Sequence, residues 1–188
     1  MTAELSQFLT RFMLQPPRPA RLPAPAGRHA AVLVPIINSA EPALLLTRRS
    51  ALLRKHAGQV AFPGGMQDAS DTSLICTALR EAQEEVGIDP HQVRIAGVLP
   101  AVTSSTGFAV TPVVGILPAM PLRLNPDEVE SAFTMPLREA LHLARYHPLT
   151  LYRGQQQHRI WLSWYNDYFI WGMTAGIIRA LGQQIALP

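Results

Sequence analysis

The chain opens on a helical rhythm. Between residues 5 and 14 the apolar side chains Leu5, Phe8, Leu9 and Phe12 recur every three or four positions, which predicts a short helix. Residues 15–27 then hold five prolines and predict an extended arm, with the compact domain starting near Arg28. Residues 30–37 are a continuous apolar run with β-branched members, the mark of a buried strand. Residues 43–48 predict a second strand, with Pro42 in the turn between the two. The pattern is less regular over 52–62, and Phe62-Pro63-Gly64-Gly65 predicts a turn that stops both helix and sheet. The clearest helix is predicted over 71–86. Leu74, Ala78, Ala82 and Val86 repeat every four residues with Ile75 and Leu79 beside them, Ser70 or Asp71 can cap the start, and Gly87 ends it. Strands follow over 93–102 and 108–117 around a polar loop at 103–107, then helices over 127–133 and 137–144, a strand over 160–164 and a C-terminal helix over 173–185. This alternation predicts an α/β fold with helices packed on a mixed sheet. Three segments result: an N-terminal helix and arm (1–27), the main domain (28–160), and an aromatic segment with the last helix packed on that domain (161–188).

Composition narrows the classes. A chain of 188 residues with 48% hydrophobic and 15% charged residues can bury a substantial core, which excludes disorder. Cys76 is the only cysteine, so neither a disulfide framework nor a cysteine zinc cluster is available. A net charge of +3 is weak grounds for nucleic-acid binding. Lys55 is the only lysine, so the cations are arginines, which suit bidentate contact with phosphate or carboxylate and are also favoured by GC-rich genomes. The apolar stretches 30–37 and 108–120 are short of a membrane span. Residues 1–14 carry Glu4 and Arg11 and lack a signal-peptide core, so the expectation is a soluble, cytoplasmic protein. Walker A, G-x-S-x-G, C-x-x-C and H-E-x-x-H patterns are all missing, which removes P-loop, serine-hydrolase and zinc-peptidase chemistry.

The chemistry concentrates in Arg80-Glu81-Ala82-Gln83-Glu84-Glu85-Val86-Gly87. On a helix Glu81, Glu84 and Glu85 stand at i, i+3 and i+4, with Cβ atoms about 5–6 Å apart on one face. Three carboxylates that close repel one another, so the cluster either stays solvated, takes up a proton, or binds a cation. Oxygen ligands in this number suit Mg²⁺ or Mn²⁺. Gly64 and Gly65 lie just upstream, where backbone can approach a ligand closely and a main-chain carbonyl could join the carboxylates.

Residues 65–88 resemble a Nudix box, G-x5-E-x7-R-E-U-x-E-E-x-G-U with U aliphatic. Its second half is met by Arg80, Glu81, Ala82, Glu84, Glu85, Gly87 and Ile88. In the first half Asp71 stands where glutamate is usual, and eight residues rather than seven separate it from Arg80. Upstream, residues 45–65 are similar to the signature L-L-T-x-R-S-x3-R-x3-G-x3-F-P-G-G of coenzyme A diphosphatases. Every specified position is met, Arg49, Arg54 and Gly58 among them, and the insertion after Gly65 is typical of that branch.

The resemblance implies an α/β/α sandwich around a mixed sheet and a metal-dependent enzyme. Its substrate would be the diphosphate of coenzyme A, or of its thioesters or oxidised form, split into 4′-phosphopantetheine and 3′,5′-ADP by in-line attack of activated water. By position Glu81, Glu84 and Glu85, with the Gly65 carbonyl, would hold Mg²⁺ or Mn²⁺. Arg80 would orient a glutamate, Gly64 would meet substrate, and Arg49 and Arg54 would either meet substrate or hold their loop to a carboxylate. For the general base Glu81 is the candidate within the box, while Asp127, Glu128 and Glu130 are later carboxylates for that role or plain helix N-terminal charge. Other Nudix substrates, or nucleotide sensing without turnover, are the competing readings.

Arg48 and Arg49 must face opposite sides of a strand, so at most one reaches the cleft. His56 contacts phosphate or braces its loop. The aromatic residues Trp161, Trp164, Tyr165, Tyr168, Phe169 and Trp171 form core, a subunit interface of a homodimer, or an adenine-stacking surface.

Overall fold

Strand β1 (His29–Asn38) is buried over nearly its whole length, as its unbroken apolar run requires of a strand covered on both faces. It occurs in a computed structural model of the chain that describes residues 1–15, 28–154 and 156–186. Nearly all of the arm expected over 15–27 lies outside the described residues. The chain forms helix α1 (Ala3–Leu14), β1, β2 (Ala43–Arg49), β3 (Val60–Ala61), β4 (Gly64–Met66) and helix α2 (Leu74–Val86). Strands β5 (Arg94–Val98), β6 (Val102–Thr103), β7 (Ala109–Pro118) and β8 (Val129–Pro136) lead to the short helix α3 (Leu137–Ala140). Strands β9 (His147–Arg153), β10 (Gln156–Tyr165) and β11 (Tyr168–Trp171) and helix α4 (Gly172–Ile185) complete it.

The main sheet has the order β3-β2-β1-β7-β5, with β4 added on β1, β6 on β7 and β8 on β2. β1 and β7 run parallel over ten paired positions and the other pairs are antiparallel, so the sheet is mixed as expected. Alternation along β1 splits the core. Ala31 and Leu33 meet Ala78, Ala82 and Val86 of α2 on one side, while Val32, Val34 and Ile36 belong with Ile177, Ile178 and Leu181 of α4 and with Phe8 and Phe12 of α1 on the other. The result is an α/β/α sandwich. A smaller sheet, β11-β10-β9, packs its inner side on the α4 half of the core, and β10 crosses the 160/161 boundary without a break. Among the described residues no helix is long and apolar enough to cross a membrane.

Several local expectations need correcting. Residues 127–133 are not helical: β8 starts at Val129 and zips onto β2 from Arg49↔Val129 to Ala43↔Pro136, a long-range pairing that outweighs local preference. Gly64 and Gly65 do not stop the sheet but pair with Val32 and Ala31. The helix of the acidic cluster begins at Leu74, capped by Ser73, whose Oγ accepts the Cys76 N–H at 3.1 Å, so neither Ser70 nor Asp71 is its cap. The strand expected over 93–102 is two, interrupted at Leu99-Pro100, and the helix expected over 137–144 stops at Ala140 before a 3₁₀ turn at Leu143–Arg145. β9 and β11 were not anticipated.

Candidate active site

Helix α2 sets Glu81 and Glu85 against β4, at Gly65 and Gly64. Gly87, at φ +73°, closes the helix in the left-handed conformation and returns its N–H to Ala82 and Gln83. Glu85 is the buried member, its side chain only 3% exposed. Its Oε2 accepts the Gly64 N–H at 3.3 Å, and its Oε1 lies 3.6 Å from Nη1 of Arg49. Burial pushes this carboxyl up to about 7, against the pull of Arg49 and the Gly64 N–H, and the negative charges of Glu128 and Glu81 add to the rise. Glu81 is raised as well, first by burial, with Arg80 opposing. Its carboxylate packs directly on Gly65: a Cβ there would come within 2.5 to 2.6 Å of all three carboxyl atoms. Gly65 is therefore glycine because a glutamate occupies the side-chain space.

Arg80 ties the acids together. Its Nη1 lies 3.0 Å from Glu81 and donates to Glu84 at 3.1 Å, and its Nη2 donates to the Met66 carbonyl at 3.2 Å. Its Nε and Nη2 grip the two oxygens of Asp71, both at 3.0 Å. This bidentate contact holds Asp71 well below the usual carboxylate range, and Thr77 and the Asp68 N–H also donate to it. The extra residue ahead of Arg80 and the shorter side chain thus leave the contact intact, because α2 starts late and residues 67–73 loop back towards it. Asp71→Asn removes one charge and one acceptor from this clamp. The variant is expected to lose about 10–100-fold in kcat with its fold retained, read by turnover alongside thermal melting.

Glu84 is half exposed and turns to Arg80. Among the described residues no three carboxylate, imidazole or thiol groups converge on a single point. Arg80 holds Glu81 and Glu84 while Glu85 turns to Gly64 and Arg49, so the helix face gathers the acids without closing them into a cage. Gly64, expected to meet substrate, has its N–H committed to Glu85.

The strand side obeys the alternation rule. A register shift between Arg48 and Arg49 marks the end of β2. Arg48 pairs with Glu130 at 3.6 Å, whereas Arg49 reaches Glu85 and keeps its Nε buried without a hydrogen-bond partner. Arg54 and Lys55 are exposed in the β2–β3 loop and form no ion pair among the described residues. His56, at φ +58°, contacts Gln59 through Nδ1 at 2.9 Å and braces that loop. Of the later carboxylates, Glu128 joins the site. Its carbonyl accepts the Ser50 N–H, and its charge raises both Glu81 and Glu85. Asp127 is exposed and Glu130 is held by Arg48. The loop at 103–107 closes on itself, with Ser104 Oγ accepting the Phe108 N–H.

The far end of the chain also touches this region. Thr174, at the start of α4, donates its hydroxyl to the Val60 carbonyl at 2.9 Å, with both residues buried. It bridges 114 positions of sequence to the short strand that leads into Phe62-Pro63-Gly64-Gly65. The spacing of Trp171-Gly172-Met173-Thr174 gave no hint of this bond.

Comparison with known proteins agrees with this geometry. The NUDIX domain family matches residues 27–164. The chain is 59% identical over 184 residues to the uncharacterized Nudix hydrolase NudL of Shigella flexneri serotype 5b, covering 97% of this chain and 95% of the relative. It is 60% identical over 182 residues to NudL of Klebsiella pneumoniae subsp. pneumoniae, covering 96% and 94%. Among solved structures, a Caenorhabditis elegans Ap4A hydrolase binary complex superposes with TM-score 0.51 and 22% identity over 60% of this chain and 83% of that one. A MutT/nudix family protein of Enterococcus faecalis gives TM-score 0.51 and 18% identity over 95% and 68%. Both structures share the fold.

Proposed function

The chain belongs to the Nudix hydrolases, which act on nucleoside diphosphate derivatives with divalent metal ions, and from that premise we propose that it hydrolyses the diphosphate bond of coenzyme A to 4′-phosphopantetheine and 3′,5′-ADP. One observation supports the narrower substrate above the others. Arg49, a position specified by the coenzyme A signature, is the cation that meets Glu85 of the box, and its side chain stays 27% exposed, which leaves part of the guanidinium open to an incoming anion. The two motifs are therefore halves of one site.

The donor set fits Mg²⁺ or Mn²⁺. Glu81, Glu84 and Glu85 with the Gly65 carbonyl offer only hard oxygens, and Glu85 is a buried carboxylate whose ionised form needs a nearby positive charge. When bound there, a divalent cation polarises the phosphorus–oxygen bond and lowers the pKa of water. The chain's own residues do the rest. Arg80 keeps Glu81 and Glu84 from splaying apart, and Asp71 fixes Arg80. Arg49 orients an oxygen of the diphosphate. Arg54, on the exposed loop, is the cation available to the 3′-phosphate. Glu81 and Glu128 are the carboxylates positioned to accept the proton of the attacking water.

The test is purified protein with coenzyme A and Mg²⁺ or Mn²⁺, its products separated by chromatography. Release of 3′,5′-ADP and 4′-phosphopantetheine, with a raised KM in Arg49→Ala, is the expected result. An intact coenzyme A beside cleavage of another nucleoside diphosphate derivative overturns the substrate and leaves the reaction class standing.

A further inference from the structure

Among the described residues, the smaller sheet leaves much of one side exposed. Register and alternation assign the sides. Trp161, Ser163 and Tyr165 of β10 and Tyr168 and Ile170 of β11 turn inward. There Ile170 is fully buried, and Phe133 stacks on Tyr168 with ring centroids 3.6 Å apart. Leu162 and Trp164 turn outward, facing Trp171 and Phe169 across the ladder, and β9 adds Leu149 and Leu151 to the same side. The rings touch: Trp164 and Phe169 have centroids 4.8 Å apart and Phe169 and Trp171 6.3 Å. Yet Trp164 is 61% exposed, Leu151 44%, Leu149 40% and Trp171 37%. Monomers seldom leave a contiguous aliphatic and aromatic patch beyond a few hundred Å² in water.

We propose that this face is the interface between two copies of the chain, stacked sheet on sheet about a two-fold axis that sets their strands antiparallel. Size is the first argument. The six side chains expose on the order of 500 Å² of apolar surface. A stable pair buries about 800 Å² per partner, of which roughly two-thirds is apolar in a permanent homodimer, so the patch has the dimensions of an interface core. Composition is the second. The six outward residues are all aliphatic or aromatic, while Arg153 at the end of β9 and Arg145, whose Nη2 donates to the Trp164 carbonyl at 2.7 Å, stand at the edge of the face, so an apolar centre has a charged rim as interfaces do. Charge fixes the orientation. Asp167 lies in the turn at one end of β10 and exposed His158 near the other end, so antiparallel stacking brings acid over imidazole twice, whereas parallel stacking opposes like with like. A strand face is its own complement at the spacing of about 10 Å at which sheets stack.

Sedimentation equilibrium of the full chain at micromolar concentration is expected to give twice the 20.6 kDa chain mass. Dilution should shift tryptophan emission to the red as Trp164 is wetted. Trp164→Glu and Leu151→Glu are each expected to weaken pairing at least ~100-fold. Both side chains are already exposed in a single copy, so circular dichroism should remain that of the parent. Leu52→Glu, at an apolar residue 80% exposed elsewhere, should leave the pair intact. A parent that sediments as one chain, or a folded pair that survives both face substitutions, overturns the proposal, whatever the substrate proves to be.

Discussion

Glu85→Gln is expected to reduce turnover by about 10³-fold while making the metal-free protein more stable at pH 8. The two halves of this result have one cause. Glu85 is buried between α2 and Gly64, and burial raises its carboxyl from the ordinary 4.5 to about 7. A carboxyl raised by folding gives its full contribution below the unfolded value, and that contribution is lost as pH rises from about 4.5 through 7. At pH 8 the metal-free fold therefore holds an ionised group in a poor solvent, at a cost on the order of 3 kcal/mol. Glutamine keeps the acceptor for the Gly64 N–H and carries no charge. It gives up the attraction of Arg49 at 3.6 Å, so the net gain is about 1–2 kcal/mol. Thermal melting from pH 4 to 8 checks the sign, with the two curves separating as pH rises. Mg²⁺ should raise the melting temperature of the parent and leave that of the variant unchanged. A variant that turns over within tenfold of the parent, or melts lower at pH 8, removes Glu85 from the role given to it here.

Gly65→Ala and Gly64→Ala should fail in opposite ways although they are neighbours. At Gly65 the new methyl meets the Glu81 carboxyl at 2.5 Å, the far end of a flexible side chain that can swing away. Stability should change by less than about 1.5 kcal/mol, while activity falls at least ~10²-fold because Glu81 leaves its place. At Gly64 the methyl meets the Ala31 carbonyl at 2.4 Å and the Val32 Cα at 2.6 Å, which are backbone atoms of the central strand. They cannot yield without breaking the β1–β4 pairing, and a loss of about 3 kcal/mol or more is expected. Chemical denaturation and turnover on both proteins separate the cases. Equal losses of stability in the two variants would sink the distinction.

The same two glycines show where sequence reasoning stops. Gly-Gly after proline reads locally as an end to the sheet, yet both residues pair with β1, because β1 and Glu81 fill the space that side chains would need. No local pattern carries that information. Residues 127–133 fail similarly: their strand exists because β2 offers an open edge, which is a long-range fact. By contrast β1, β2, α2 and α4 were legible, since each has an apolar period long enough to outvote its flanks. At the site the box spacing announced the grouping of Glu81, Glu84 and Glu85, and alternation announced that Arg48 and Arg49 would separate. What spacing could not show was that Glu85 alone would be buried, that Asp71 would still reach Arg80 across an inserted residue, and that Glu128 would arrive from the turn leading into β8 rather than from a helix.

The bond between Thr174 and Val60 has a consequence for the order in which the protein is made. Every residue of the box and its upstream signature has been joined to the chain before residue 89 is added, but the strand that sets up Pro63-Gly64-Gly65 lacks this buried tie until α4 emerges. Helix α4 thus fastens the strand that leads into the box from 114 positions further along the chain. A polypeptide that stops short of α4 carries the whole motif without that fastening, and its turnover is expected to fall below that of the chain that includes α4.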